Sequence, residues 1–298
     1  MNFELIQIQT TGTCNARCAM CPYKNSWFID NYGIMKEELF DKIINQIDKN
    51  YSSKICPYLM NEPFADPYMI RRIEKLKKRF KKATIEVSTN AELLDDYKIK
   101  GIVDLLDSND KIIISHHGID KETLENTMKI KYFKTINNII HLIRKLNGKI
   151  PIAIQTMAYS KDNKYRYFNT RKVKRYWNKI FYESNLSWNN VWLSTLEFHN
   201  RAGNVKIDGW DYNKKVRDIG PDNLFYCPKF DKSLNVLWNG ETVLCCMDYM
   251  HETPYGDLNT QTIEEIFDSD KYHKTIDICS GKVESSDDMI CKRCQTGK

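Results

Sequence analysis

At 298 residues, with 42% hydrophobic and 28% charged residues, the chain has room for one large globular domain and a small appendage. A net charge of +6 is mildly basic; it suits an anionic substrate or a polypeptide, and solubility alone also accounts for it. The sequence has no apolar run of about 18 residues and no signal-peptide pattern near Met1, so a cytoplasmic protein with no membrane partner is predicted.

In chain order, Leu5–Thr10 reads as a strand and Lys36–Lys49 as a helix with an apolar stripe at Leu39, Ile43, Ile44 and Ile47. Ser53–Met60 reads as a strand, Pro67–Lys82 as a basic-faced helix, and Thr84–Ser88 as a β-branched strand. Leu93–Leu106 is predicted helical, Lys111–Ser115 a buried strand, Tyr132–Leu146 a helix and Ile150–Met157 a strand. Lys164–Glu183 follows as a helix and Val191–Glu197 as the last of about six strands. This alternation predicts parallel strands with helices outside, and six units rather than eight predict an open partial barrel. A loop-like stretch, Asn200 to Asn223, holds the domain boundary. Beyond it, Leu234–Trp238 and Thr242–Cys246 flank Asn239-Gly240-Glu241, a hairpin signal, and Thr262–Ile278 reads as a helix.

The ten cysteines fall into two groups. Without a secretory signal they point to metal ligands before disulfides. Cys14, Cys18 and Cys21 form a C-x3-C-x2-C run after the first strand, where such barrels place their chemistry. Three thiolates on one loop hold three corners of an iron–sulfur cubane and leave one iron open to a small molecule. Zinc is the alternative, although zinc sites usually pair two-cysteine knuckles to reach four ligands. The second group lies in the last quarter: Cys227, Cys245, Cys246, Cys279, Cys291 and Cys294. Cys56, Cys246 and Cys279 read by default as buried thiols, Cys246 because neighbours on a strand face opposite sides.

The C-x3-C-x2-C run and its position resemble those of radical S-adenosylmethionine (SAM) enzymes. Met60-Asn61-Glu62-Pro63 resembles that family's Gly-Gly-Glu-Pro segment with both glycines replaced, and Ser88-Thr89-Asn90-Ala91 its Ser-Thr-Asn-Gly element with Ala91 for glycine. The resemblance implies cofactor contacts from Met20, Tyr23, Asn61, Glu62, Ser88, Asn90, Ser115, Gln155 and Met157. It implies a partial (β/α)6 TIM-like barrel over residues 1–200 and a linker over 201–224. The spacing Cys227-x17-Cys245, the Gly240-x4-Cys245 unit and the terminal Cys291-x2-Cys294 resemble the Twitch domain, a short SPASM-like α+β unit of hairpin and helix, over 225–298. Cys227, Cys245, Cys291 and Cys294 would then close a second, auxiliary [4Fe-4S] cluster, with structural zinc as the alternative.

The implied cofactors are two [4Fe-4S] clusters and SAM, and the implied chemistry is hydrogen abstraction by a 5′-deoxyadenosyl radical. A flavodoxin or ferredoxin is the implied reductant, and no nucleic-acid partner is implied. The cluster layout resembles that of the 2-deoxy-scyllo-inosamine dehydrogenases, Twitch enzymes that oxidise a cyclitol alcohol. A closed second cluster suits net oxidation, so the reading is dehydrogenation of a sugar or aminocyclitol. Peptide epimerisation or crosslinking on a ribosomal precursor is the alternative, and a non-catalytic electron carrier a third. Arg201 is a candidate substrate contact; Glu197, His199 and Asp248 are candidate proton acceptors, and His116 and His117 candidate lining residues.

Overall fold

The computed structural model describes residues 3–158, 170–197, 200–205 and 217–294. Six parallel strands run in chain order across the sheet: β1 (Leu5–Ile8), β2 (Lys54–Cys56), β3 (Thr84–Thr89), β4 (Lys111–Ser115), β5 (Ile152–Ala158) and β6 (Val191–Glu197). Between them lie α1 (Glu37–Gln46), α2 (Met69–Arg79), α3 (Asp96–Leu105), α4 (Lys121–Met128), α5 (Tyr132–Leu146) and α6 (Thr170–Glu183). The predicted β/α alternation and open partial barrel are present. No helix among the described residues is long and apolar enough to cross a membrane.

Each strand alternates between a helix-packed face and an inner face. Ile6, Ile8, Ile55, Ile85, Val87, Ile112, Ile114, Ile152 and Ile154 join the core with Phe40, Ile43, Ile73, Ile139 and Trp177 from the helices. The other face is largely polar. Parallel register places Glu86 beside Lys111, and Ser115, Gln155 and Ser194 in one row. At the lower end, Lys54 Nζ and Tyr58 Oη donate to buried Glu86, both at 3.1 Å. Cys56 is buried there beside Glu86, as its default reading expects.

Three C-terminal strands extend the same sheet: β7 (Ser233–Val236), β8 (Glu241–Val243) and β9 (Pro254–Asp257). β7 lies parallel to β1, with Leu5 opposite Ser233 and Ile8 opposite Val236. The predicted hairpin forms between β7 and β8, and Gly240 takes φ +96° at its turn. Backbone hydrogen bonding therefore crosses the boundary placed in the loop.

Several elements differ from expectation. The predicted helix over Thr262–Ile278 is two helices, α7 (Ile263–Phe267) and α8 (Asp270–Ser280), because Ser269 caps the second through Tyr272 N–H. β9 and the short α9 (Ile290–Arg293) were not predicted. β2 ends early, since Pro57 removes the next ladder donor. Helix α4 was also missed, although Asp120 and Thr123 form its capping box. Of the predicted helix over Lys164–Glu183, residues 164–169 lie outside the described residues.

Candidate active site

The cysteine loop leaves β1 at the C-terminal end of the strands. It is held from three sides. The carbonyls of Thr127 and Met128, at the end of α4, accept from Ala19 N–H (2.7 Å) and Arg17 N–H (3.0 Å). Tyr23 Oη donates to the Gly12 carbonyl at 2.8 Å and accepts from Cys14 N–H at 3.0 Å. Trp238, after β7, lies so close to Gly12 and Gly33 that a Cβ on Gly33 would fall 2.2 Å from its ring.

Burial raises the Cys14 thiol to about 12, helped by nearby Glu62, and raises Cys18 well above its ordinary value, with Cys21 and Cys14 adding to it. The Cys14 and Cys18 thiols in this low-dielectric site resist ionisation unless a cation neutralises them. Ligation to iron does this outright, so the donor set fits a cluster.

Glu62 sits where the β2 and β3 ends meet. Its buried carboxylate accepts from Thr89 Oγ1 at 2.6 Å, Asn90 N–H at 2.8 Å and Phe64 N–H at 3.3 Å, while its own N–H donates to the Thr13 carbonyl at 3.1 Å. Burial nevertheless raises its pKa to about 7. Asn90 Nδ2 donates to Asn15 Oδ1 at 2.8 Å, and Asn15 Nδ2 to Glu92 at 2.6 Å. The side chains of Asn90 and Tyr23, read as cofactor contacts, are thus used in bracing the cysteine loop, while Glu62 reaches that loop through its backbone N–H and spends its carboxylate on the β3 end and Phe64. Asn61 differs: its Oδ1 accepts from Leu59 N–H, and its buried Nδ2 has no partner among the described residues.

The replaced glycines have a structural account. Met60 and Asn61 stay out of the left-handed region, whereas Ala91 adopts φ +64°, a conformation that favours glycine. Ser88, Ser115, Gln155 and Met157 lie on the inner face; Met157 is buried, and Met20 is buried on the cysteine loop.

Sequence reasoning missed Ser194, in the row of Ser115 and Gln155. It also missed Gln9, fully buried with neither side-chain atom partnered among the described residues. The signal was available: Gln7 and Gln9 alternate with Ile6 and Ile8, which place the glutamines on the inner face.

The C-terminal cysteines surround a cavity of about 410 Å³ lined by Cys227, Cys245, Cys246, Cys291 and Cys294 with Phe225, Phe230, Leu244 and Ile290. Among the described residues no three or more His, Cys, Asp or Glu side chains converge as they would on one metal ion. Thiols spread around an apolar chamber fit a multi-iron cluster better than a single zinc. Cys246 departs from its reading: β8 ends at Val243, strand alternation no longer applies, and the thiol faces the same cavity. The neighbouring Cys245 thiol, with the positive charges of Lys229 and Arg201, holds Cys246 below the ordinary thiol range. Cys279 is buried near Cys291 and, with burial, pushes the Cys291 thiol up.

Of the catalytic candidates, Arg201 lies between the two centres, with Nη1 3.9 Å from Met247 Sδ and its charge felt by His117, Cys246 and Tyr249. Asp248 does not match its reading as a proton acceptor. Its fully buried carboxylate accepts from Glu252 N–H (2.7 Å), Thr253 N–H (2.8 Å) and Thr253 Oγ1 (2.7 Å), and so braces its own loop. Glu197 closes β6 opposite Ala158, and His199 lies outside the described residues. His116 and His117 are both buried. His116 packs between Tyr176 and Trp177. Burial, aided by the positive charge of Arg201, lowers His117 to about 4, leaving a neutral imidazole whose Nδ1 has no partner among the described residues.

A partial barrel with an open three-cysteine loop at its mouth, beside a closed cysteine chamber, defines an iron–sulfur enzyme with two centres. Residues 8–164 match the model of the Radical SAM superfamily, and the chain belongs to that superfamily. Residues 227–295 match the SPASM model, an iron–sulfur cluster-binding domain. The two [4Fe-4S] clusters and SAM follow as its cofactors. No curated protein sequence matches the chain. Among solved structures, BtrN in complex with AdoMet and 2-DOIA is similar with a TM-score of 0.60 and 16% identity, over 99% of this chain and 95% of BtrN. anSMEcpe with bound AdoMet and Cp18Cys peptide has a TM-score of 0.57 and 18% identity, over 99% and 86%. Streptococcus suis SuiB bound to precursor peptide SuiA has a TM-score of 0.56 and 13% identity, over 100% and 72%. At these identities the likeness is one of fold.

Proposed function

We propose that the protein dehydrogenates an alcohol carbon of a sugar or aminocyclitol. The alcohol loses one hydrogen atom, one proton and one electron to become a carbonyl, and the auxiliary cluster accepts the electron. When bound, the radical-site cluster and SAM supply the hydrogen-abstracting species. The observation that carries this reading is the loop after β8: Cys245 faces the auxiliary cavity, and Tyr249, four residues later, touches the radical-site ligand Cys21. This short loop brings the auxiliary cavity close to the cysteine loop, so a substrate held between them would lie near the electron acceptor.

In this reading Arg201 holds a substrate oxygen between the centres. Glu197 or neutral His117 takes the hydroxyl proton, and Ser115, Gln155, Ser194 and Asn61 offer polar contacts to SAM or substrate. A flavodoxin or ferredoxin supplies the electron that starts the reaction. The length shared with BtrN, bound to 2-DOIA, supports a small-molecule substrate. The peptide-bound neighbours support the second reading, peptide epimerisation or crosslinking.

Carbon-deuterated aminocyclitols and sugars, incubated with reconstituted enzyme, SAM and reductant, test the proposal. Deuterium in 5′-deoxyadenosine together with a carbonyl product is expected. Deuterium transfer only from a peptide would replace this reading with the second.

A further inference from the structure

The loop from Cys245 to Thr253 is fixed to both halves of the molecule. The Tyr249 carbonyl accepts from Trp27 N–H at 3.0 Å, and His251 stacks on Trp27 at 4.2 Å while its Nε2 meets Glu241 at 2.9 Å. Asp248 ties the loop to Thr253. These contacts hold the Tyr249 hydroxyl 3.7 Å from Cys21 Sγ. Tyr249 packs with Tyr23, Phe28, Leu59, Met60, Leu237 and Val243, so the contact lies in apolar surroundings.

A cysteine bound to iron carries no hydrogen. In the free protein the thiol can donate to the phenol oxygen; with iron bound, the one hydrogen left to this 3.7 Å contact belongs to the phenol. Hydrogen bonds to cluster sulfurs stabilise the more negative, reduced state, and low dielectric strengthens them. We propose that Tyr249 donates a hydrogen bond to the Cys21 thiolate and thereby raises the reduction potential of the radical-site cluster. Tyr249 is a positioning and tuning residue supplied by the C-terminal unit, so docking of that unit sets how readily the first cluster accepts an electron. The inference rests on the radical-site cluster and is independent of the substrate.

The test uses the full-length, reconstituted protein with Tyr249→Phe, which keeps the ring and removes the hydroxyl. In redox titrations followed by electron paramagnetic resonance, the radical-site cluster of the variant should be about tenfold harder to reduce, a drop of about 59 mV for one electron, with the auxiliary cluster unmoved. Pulsed resonance in D2O should show an exchangeable deuteron coupled to the reduced radical-site cluster in the wild type, and its loss in the variant. An unchanged potential, or equal shifts in both clusters, would overturn the proposal. Should the variant lose its iron, the wild-type deuteron decides: its absence also overturns it.

Discussion

Asn90, at the end of β3, donates its side-chain amide to Asn15 in the cysteine loop, 2.8 Å away. A residue read as a cofactor contact is thus a strut between the β3 end and the cysteine loop. Asn90→Ala should cost about 1–2 kcal/mol and weaken SAM binding by roughly tenfold. Iron content and SAM titration check this, and Asn15→Ala combined with Asn90→Ala should cost less than the sum of the two.

At the second centre, Cys279 is buried close enough to Cys291, read as a cluster ligand, to push the Cys291 thiol up. Cys291→Ala should therefore keep part of its auxiliary iron through the neighbouring thiol. The double variant with Cys279→Ala should lose that cluster, about half of the total iron, and keep SAM cleavage while losing product. Iron analysis and product assay separate the two variants.

Asp248 accepts three hydrogen bonds within its own loop. Asp248→Asn should lower stability by about 1–3 kcal/mol, measured by denaturant unfolding, because two backbone donors compete for a weaker acceptor. Turnover per folded enzyme should survive. A complete loss of turnover at wild-type stability would restore Asp248 as a proton acceptor.

His116 is fully buried, and burial lowers it to about 3 from an ordinary value of 6.5. The unfolded chain therefore binds a proton between about pH 6.5 and 3 that the folded chain refuses, so stability falls as pH drops through this window. At pH 5 the loss is about 2 kcal/mol. His116→Phe should flatten the stability profile below pH 6.5, measured by thermal unfolding across pH.

Ala91 holds φ +64° at a buried turn. Ala91→Gly removes about 1–2 kcal/mol of backbone strain and costs about 0.4–1 kcal/mol of chain entropy. Loss of the buried Ala91 methyl from the core takes back about 0.8 kcal/mol, so a net change within about 0.5 kcal/mol of zero is expected in denaturant unfolding.

Much of this was legible in the sequence. The β4 and β6 boundaries agree with the prediction, as does α5, because β-branched runs and an isoleucine stripe mark them sharply. The cysteine spacings pointed to the two domains whose family models match. What was not legible depends on tertiary contact. α4 is short, and its importance lies in the two carbonyls it offers to Ala19 and Arg17. Local spacing says nothing of the Tyr249–Cys21 contact, which joins residues far apart in the chain. Asp248 looked reactive because sequence does not show that Thr253 folds back onto it.

The pairing of β7 with β1 has a consequence for dissecting the molecule. An open barrel exposes the hydrogen-bonding groups of its first strand to any other chain in extended form. Here the C-terminal segment occupies that rim and keeps it from templating aggregation. A barrel fragment ending near residue 200 would uncover it beside the cysteine loop. The two halves are therefore best purified, reconstituted and mutated together.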